Sequence, residues 1–144
     1  MNLAHLKVED VMTEQPVTIG RHQSLDMAHR LMREHHCRHL PVLEHGELVG
    51  ILSQRDLYFL ETLGRADLER DKIDEAMTQE CYAVGPATSV QEVADTMAEH
   101  RYGCAVVMER ERVIGIFTVT DALRVLSGKA LAAKAAAKPA PRAR

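Results

Sequence analysis

Apolar residues recur at helical spacing in two stretches of the chain, and each stretch follows a serine that can cap a helix. After Ser24, the residues that share the predicted apolar face are Leu25, Ala28, Leu31 and Met32. After Ser89 they are Val90, Val93, Ala94 and Met97. Glu92 stands where a capping box with Ser89 needs it. Both stretches are therefore predicted to be amphipathic helices with one face in a core.

Short apolar runs with little alternation surround these helices and predict buried strands. Their bounds are Val17–Ile19, Leu40–Leu43, Leu48–Leu52, Ala105–Met108 and Val113–Phe117. Gly46 lies in the turn of the first hairpin, where a positive φ is favoured. Closing helices are predicted over Asp56–Leu63 and Asp121–Leu126, and the charged segment Arg65–Glu75 is predicted to be a helical linker. Each half of the chain thus has the order strand, helix, strand, strand, helix.

The two halves are copies of one another. Residues Met12–Leu57 reappear at Met77–Ala122, 65 positions later and without a gap. A repeated supersecondary unit buries its apolar faces by packing against its copy. We therefore predict an α/β (α+β) fold of two βαββα units, packed through small sheets about a pseudo-two-fold axis. The predicted boundaries are residues 1–64 and 76–128 for the two repeats, 65–75 for the linker and 129–144 for a tail.

The composition is that of an ordinary globular protein, with 46% hydrophobic and 27% charged residues among 144. Cys37, Cys81 and Cys104 are odd in number and fit no CxxC spacing, which indicates a reducing compartment rather than a disulfide framework. The start of the chain lacks the apolar stretch of a secretion signal, and no run reaches membrane-spanning length. We therefore expect a cytoplasmic protein without membrane contact.

Charge is distributed unevenly along the chain, whose net charge is −3. Because five of the 18 basic residues lie from Lys129 onward and all 21 acidic residues lie before it, the body carries about −8. Residues 129–144 are rich in Ala and Lys, which predicts a disordered low-complexity tail. A solubilising terminus is the simpler interpretation. Binding of nucleic acid by the tail is the alternative, but the aromatic residues that usually accompany such binding are missing.

Each hairpin runs into its closing helix through a segment that begins with glycine, Gly50–Asp56 in the first copy and Gly115–Asp121 in the second. Ser53 and Thr118 are suited to be helix N-caps, and an Asp three residues later favours the helix N-terminus. The same geometry suits a ligand, because exposed N–H groups attract an anion and a carboxylate can accept both hydroxyls of a ribose. The glycines would let a ligand approach the backbone closely. The residues alone leave both interpretations open.

The segments that carry a family resemblance are Asp10–Thr18, Arg38–Val42 and Leu48–Asp56. They resemble the cystathionine-β-synthase (CBS) domain, and the chain through about Ser127 is similar to a tandem CBS pair, also called a Bateman module. The resemblance implies clefts between the copies that bind adenosine-containing ligands such as AMP, ADP, ATP or S-adenosylmethionine. It also implies a protein that regulates an attached or partner protein and performs no chemistry itself.

Carried over by position, the resemblance implies two crossed clefts. The residues of the first are Thr118 and Asp121 together with Thr13, Val17, Arg38 and His39. The residues of the second are Ser53 and Asp56 together with Thr78, Tyr82, Gly103 and Cys104. In each cleft the Asp would hold the ribose, the Ser or Thr a phosphate, and Val17 or Tyr82 the base. Because Arg38 is a strong phosphate partner, we expect the first cleft to bind nucleotides more tightly.

The run His35–His39 contains three histidines and a cysteine, residue types that bind zinc in other proteins. However, Cys37 aligns with Tyr102, and no second ligand pair stands nearby at metal spacing. We therefore expect packing positions rather than a metal site. No catalytic triad, Walker loop or paired acid–base site can be recognised, so the sequence does not predict an enzyme.

The resulting hypothesis is a stand-alone regulatory module, homodimeric by its resemblance, that binds an adenosine nucleotide or S-adenosylmethionine and signals to a partner protein. The rival hypothesis is a ligand-silent CBS pair that serves dimerisation or scaffolding, with Ser/Thr-x-x-Asp motifs that are only helix caps. A weaker alternative is a nucleic-acid-associated protein that uses the basic tail.

Overall fold

The computed structural model describes residues 2–64 and 67–129. These residues contain four α-helices and two small sheets. In chain order the elements are β1 (Thr13–Glu14), β2 (Ile19–Gly20), α1 (Leu25–His35), β3 (His39–Glu44), β4 (Glu47–Ser53), α2 (Gln54–Thr62), β5 (Ala83–Val84), α3 (Val90–His100), β6 (Cys104–Glu109), β7 (Arg112–Thr118) and α4 (Val119–Leu126). The predicted α/β class is confirmed. The predicted disordered tail lies outside the described residues from position 130 onward.

The chain forms two compact units, and each contains parts of both repeats. The first unit holds the described residues of 16–81 together with residues 110–113. The second unit holds the described residues of 2–15, 82–109 and 114–129. The Met-Thr dipeptide that opens each repeat, Met12-Thr13 or Met77-Thr78, thus belongs to the unit that contains all or most of the other repeat's hairpin.

The first unit is built on a three-stranded sheet with the order β2, β3, β4. Strand β2 runs parallel to β3, and its pairing begins with Ile19 opposite Val42, two residues later than the predicted start at Val17. Strand β4 returns antiparallel to β3 after a turn in which Gly46 has a φ of +81°, as predicted. The buried core consists of Ile19, Leu25, Ala28, Met32, Leu40, Val42, Leu52, Leu57 and Ile73.

The second unit is built on a four-stranded sheet with the order β1, β7, β6, β5. Strand β1 joins it antiparallel to β7, with Thr13 opposite Ile116. The predicted capping box of α3 is half formed, because the Ser89 hydroxyl accepts the Glu92 N–H at 3.1 Å while the exposed Glu92 side chain makes no return bond among the described residues. The buried core consists of Val8, Val11, Val90, Val93, Met97, Ala105, Val107, Phe117 and Val125.

The helix predicted over Arg65–Glu75 is wrong for the described part of that segment, which contains turns and a short 3-10 helix at Ile73–Glu75. The reason lies at the N-terminus of α1, whose first N–H groups lack partners inside the helix. The carbonyl of Leu68 accepts the Asp26 N–H at 2.9 Å, and the carbonyl of Asp71 accepts the Leu25 N–H at 3.2 Å. The segment therefore caps α1 instead of forming its own helix.

Candidate functional site

Both Ser/Thr-x-x-Asp motifs form complete capping boxes. At α2, the Ser53 hydroxyl accepts the Asp56 N–H at 3.0 Å, and the Asp56 carboxylate accepts the Ser53 N–H at 3.0 Å. At α4, the Thr118 hydroxyl accepts the Asp121 N–H at 3.2 Å, and the Asp121 carboxylate accepts the Thr118 N–H at 2.9 Å. Each carboxylate is thus held at the positive end of a helix, where its charge is favourable.

The Asp121 carboxylate has further partners. Asp121 is only 4% exposed, and the hydroxyl of Thr13 lies 3.2 Å from its Oδ1 and 3.3 Å from its Oδ2. Arg124, which lies one turn further along α4, donates from Nη1 to Oδ1 at 3.2 Å. The Thr118 hydroxyl also lies 3.1 Å from Oδ2. Both oxygens of this buried carboxylate are therefore engaged within the second unit.

The Asp56 carboxylate is much less engaged. It is half-buried, and its Oδ2 accepts the Ser53 N–H while its Oδ1 has no hydrogen-bond partner among the described residues. The residue that corresponds to Arg124 is Phe59, which cannot donate. Thr78, which corresponds to Thr13, is bound through its backbone, with N–H and carbonyl each 2.9 Å from their partners in Ile51. One carboxylate oxygen of the first unit is therefore free to accept a ligand hydroxyl.

Arg38 and His39 belong to the first unit and lie at the start of β3. His39 stands opposite Ser53 in the β3–β4 ladder, and the Arg38 carbonyl accepts the Gln54 N–H at 2.8 Å. Burial lowers the pKa of His39, the Asp56 carboxylate partly opposes this, and the Arg38 charge lowers the pKa slightly further. The hydrogen bonding and electrostatics thus bring His39 beside the Asp56 motif, with a preference for its neutral form.

Two exposed cations lie at the same end of α2. Arg38 precedes β3, and Arg55 is the second residue of α2. Both side chains are exposed, and neither forms an ion pair within the described part of the chain. Their charge adds to that of the helix N-terminus, so this end of the first unit favours an anion.

The two glycines have a different role from the one predicted for them. A Cβ on Gly115 would overlap the Sδ of Met12, and a Cβ on Gly50 would lie 2.6 Å from the Sδ of Met77 and 3.0 Å from the Thr78 carbonyl oxygen. The close approach that glycine permits is thus made by a methionine of the same unit. A ligand is not needed to explain either glycine.

The remaining predicted residues are divided between the units. Val17 is half-buried against the core of the first unit. In the second unit Tyr82 packs against the core, Cys104 is buried at the start of β6, and the Gly103 carbonyl accepts the Val119 N–H at 3.3 Å. The predicted grouping of Arg38 with the Asp121 motif, and of Tyr82 with the Asp56 motif, stays a prediction.

Arg124 and Tyr102 are two residues of interest that the sequence argument did not select. Arg124 stands three residues after Asp121, a spacing at which helix side chains meet, and this could have indicated the ion pair. The ring of Tyr102 stacks on Tyr82 with centroids 5.4 Å apart. Nothing in the local sequence pattern specifies that ring contact.

The cysteines and histidines of the described ranges are residue types that can bind a metal ion or, in the case of cysteine, act as reactive thiols. In residues 2–64 and 67–129, no three His, Cys, Asp or Glu side chains come together in a way that could hold a metal ion. Burial raises the pKa of the Cys37 and Cys81 thiols, which disfavours the reactive thiolate. Every helix in these residues is too short or too polar to cross a bilayer.

Comparison with known proteins identifies the family. The family model of the CBS domain matches residues 8–60 and again residues 73–128. The chain is a member of the CBS domain family. The two matched segments make it a CBS pair, as its repeat and motifs predict, and the solved CBS pairs share its mixed α/β architecture.

Two curated relatives and one solved structure illustrate the likeness. The CBS domain-containing protein YhcV of Bacillus subtilis is 29% identical over 114 residues, which cover 79% of this chain and 81% of YhcV. Inosine-5'-monophosphate dehydrogenase of Korarchaeum cryptofilum is 33% identical over 116 residues, which cover 80% of this chain but only 23% of the enzyme. The CBS pair of protein MJ0100 is 28% identical with a TM-score of 0.78, covering 85% of this chain and 97% of that one. It was solved in complex with 5'-methylthioadenosine and S-adenosyl-L-methionine.

Proposed function

We propose that this CBS pair is a regulatory module that binds an adenosine-containing ligand, such as AMP, ADP, ATP or S-adenosylmethionine, and signals to a partner protein without catalysing a reaction. The observation that carries the proposal is the Asp56 carboxylate, which has one oxygen without an internal partner at the N-terminus of α2. A ribose presents two adjacent hydroxyl donors, and a positioned carboxylate is their natural acceptor. The adenosine ligands of the MJ0100 pair support the same chemistry.

The surroundings of Asp56 suit the rest of such a ligand. The Ser53 hydroxyl can donate a hydrogen bond to a phosphate oxygen at the N-terminus of α2, where the helix dipole favours an anion. Arg38 and Arg55 can neutralise phosphate charge, and arginine does so in bidentate geometry. His39 is half-buried and electrostatically close to Asp56, so it can contribute a hydrogen bond in its neutral form.

The Thr118–Asp121 motif is less available to a ligand than the Ser53–Asp56 motif. A ribose that binds Asp121 must compete with the Thr13 hydroxyl and with Arg124, both of which already bond the carboxylate. We therefore propose that Asp56 binds a ribose more readily than Asp121. The sequence analysis expected the opposite order, because it grouped Arg38 with Asp121. Binding at Asp121 remains part of the proposal, with Thr118 as the phosphate partner and rearrangement of Arg124 as its cost.

Thermal unfolding with millimolar adenosine, AMP, ATP and S-adenosylmethionine tests this proposal. A ligand that binds only the folded protein raises stability by about 2.7 kcal/mol at a hundred times its Kd. We expect at least one ligand to raise the midpoint and Asp56→Asn to reduce the rise. Asp26→Asn is the matched control, because Asp26 also lies in the first turn of a helix, where its carboxylate pairs with Arg30 among the described residues. No rise with any ligand would contradict the proposal.

Association between copies is the second candidate function, and exposed apolar side chains favour it. On α4, Val119, Leu123 and Leu126 are each more than half exposed, and Tyr58 and Phe59 are more than half exposed on α2. Exposed large apolar groups of this kind mark interaction sites. We propose a homodimer that uses these helices, in keeping with the CBS family. A ligand-silent scaffold would show this association without any response to nucleotides.

The absence of a disulfide among the three cysteines supports a reducing location. Cys37, Cys81 and Cys104 form no disulfide with one another. We propose a cytoplasmic protein on this ground, since cysteines that form no disulfide are typical of reducing compartments. Alkylation of the freshly isolated protein without reductant should modify all three after denaturation, and a mass shift that indicates a disulfide would contradict the assignment.

A further inference from the structure

A groove of about 540 Å³ lies in the first unit at the carboxyl ends of two parallel strands. Strand β2 ends at Gly20, strand β3 ends at Glu44, and both residues line the groove. In open α/β sheets, ligands bind outside the carboxyl ends of parallel strands. Because β3 begins at His39 beside the Asp56 motif and is six residues long, the groove lies about 17 Å from that motif. The groove is therefore separate from the adenosine site proposed above.

The lining of the groove carries a net positive formal charge. Its charged and titratable side chains are Arg21, His22, Glu44, His45 and Lys72. With both histidines counted as neutral, two cations and one carboxylate leave a formal charge of +1. The chain as a whole has a net charge of −3, so this groove has the opposite sign. A lining of one sign attracts ligands of the other, which here means an anion.

Arg21 is a positioned donor in this lining. Its Nη1 donates to Glu44 Oε2 at 2.6 Å, and its Nε lies 3.9 Å from Oδ2 of Asp74, which is outside the lining. Its backbone N–H donates to the Leu43 carbonyl at 3.0 Å. The guanidinium is thus held in place, while its Nη2 forms no hydrogen bond within residues 2–64 and 67–129. Those N–H donors are available to an oxyanion, for which arginine is a strong partner.

Lys72 supplies a second cation. Its backbone pairs with Ser24 in an isolated antiparallel bridge, which places Lys72 beside the N-cap of α1. The Lys72 side chain is exposed and forms no ion pair in the part of the chain that the structure describes. The carbonyls of Leu68 and Asp71 already bind the first N–H groups of α1. An anion in the groove must therefore be bound by side chains rather than by the helix end.

The second repeat does not reproduce these cations. Pro86 and Ala87 stand at the positions of the Arg-His pair. The cavity beside the N-cap of α3 contains Glu92 and Asp95 as its charged lining residues, so its formal charge is −2. The positive groove is consequently a property of the first repeat and does not follow from the shared fold.

We propose that this groove is a binding site for a phosphate group, either free inorganic phosphate or the phosphate of a small ester, with Arg21 and Lys72 as its principal partners. A phosphate dianion has enough acceptor oxygens for an arginine fork and an ammonium together. Bound phosphate would join the ends of β2 and β3 to the segment that precedes Ile73, and it would stabilise the folded first unit. The site goes beyond the proposed function, because it requires neither adenosine nor the Asp56 motif.

NMR titration of the ¹⁵N-labelled full chain with inorganic phosphate, and separately with glycerol 3-phosphate, tests the site at constant pH and ionic strength. We expect saturable shifts of the backbone amides of residues 20–24 and 43–45, and tighter binding of one probe identifies the source of the phosphate. Lys72→Gln should weaken binding about threefold to fivefold, as for one exposed charge pair. Lys7→Gln is the matched control, because Lys7 is the counterpart of Lys72 and forms the same kind of bridge, to Ser89. It should leave binding unchanged.

The outcomes separate this site from the adenosine site. Shifts confined to residues 38–39 and 53–56, or shifts that do not saturate, would overturn the proposal. Equal weakening by Lys72→Gln and Lys7→Gln would also overturn it, since it would indicate unspecific attraction. Asp56→Asn should leave the shifts at the groove unchanged, whatever it does to nucleotide binding. Lys72→Gln keeps the backbone bridge to Ser24, so circular dichroism should show an unchanged fold.

Discussion

The Asp121 and Asp56 carboxylates differ in their hydrogen bonds. Replacing them by alanine should therefore lower the free energy of unfolding by different amounts. Asp121→Ala removes the buried carboxylate that accepts the Thr118 N–H and the hydroxyl of the exposed Thr13, and it releases Arg124. A hydrogen bond to a charged group contributes about 1.5–3 kcal/mol, and an exposed pair such as that with Arg124 contributes about 0.3–0.5 kcal/mol. We expect Asp121→Ala to cost about 3–4 kcal/mol.

Asp56→Ala removes one hydrogen bond, from the Ser53 N–H, at a half-buried position. Its expected cost is about 1.5–2 kcal/mol, from the low end of the range for a hydrogen bond to a charged group together with the charge at the helix N-terminus. Asp26→Ala, at an exposed first-turn position of α1, should cost about 0.5 kcal/mol or less.

Urea denaturation followed by circular dichroism measures these costs. With m-values of about 1–3 kcal/mol per molar urea, the two motif variants should differ in midpoint by roughly 1 M. The variant Thr13→Val and its combination with Asp121→Ala complete a double-mutant cycle, in which the pair should show a coupling of about 1 kcal/mol. Equal costs for Asp121→Ala and Asp56→Ala, or a coupling near zero, would refute the reasoning.

Three further predictions concern packing, pH and association. Gly115→Ala should lower the free energy of unfolding by about 1–3 kcal/mol, and Met12→Ala should relieve most of this because every close contact is with the Met12 side chain. Gly50→Ala should be relieved less by Met77→Ala, since the Thr78 carbonyl oxygen also lies close to the added Cβ. Equal recovery of stability in the two double-mutant cycles would contradict this packing account. Because the folded-state pKa of His39 is lowered, the free energy of unfolding should fall as the pH drops below about 6.5, and His39→Gln should flatten that fall; an unchanged slope would contradict it. Leu123→Glu should shift the mass measured by light scattering from dimer to monomer, and a monomeric wild type would contradict the proposed association.

Local sequence patterns were sufficient to predict most of the helices and strands. Helix α1 follows from Ser24 and the spacing of its apolar residues, because the cap and the amphipathic face both act within one or two turns. The hairpin turn at Gly46 follows from the conformational freedom of glycine. Both depend on interactions between residues that are close in the sequence.

Features that depend on distant residues were not predictable from local pattern. The segment over Arg65–Glu75 has helix-forming residues, but its carbonyl groups are used to cap α1 more than forty positions earlier. Likewise Thr13 reaches Asp121 across 108 positions, and only the assembled unit reveals that this carboxylate is engaged while that of Asp56 is open. The motif indicated which side chains are candidates for ligand binding, but not which of them are already hydrogen-bonded within the fold.

The most direct test of the proposed function is isothermal titration calorimetry of the wild-type protein with AMP, ATP and S-adenosylmethionine, repeated on the double variant Asp56→Asn/Asp121→Asn. Asparagine keeps the size of each side chain and an acceptor oxygen for the helix cap, while it removes the charge that a ribose diol would bind. The account predicts saturable binding of at least one ligand to the wild type and loss of that binding in the folded double variant. Undiminished binding by the double variant, or no heat of binding with any of the three ligands, would contradict it.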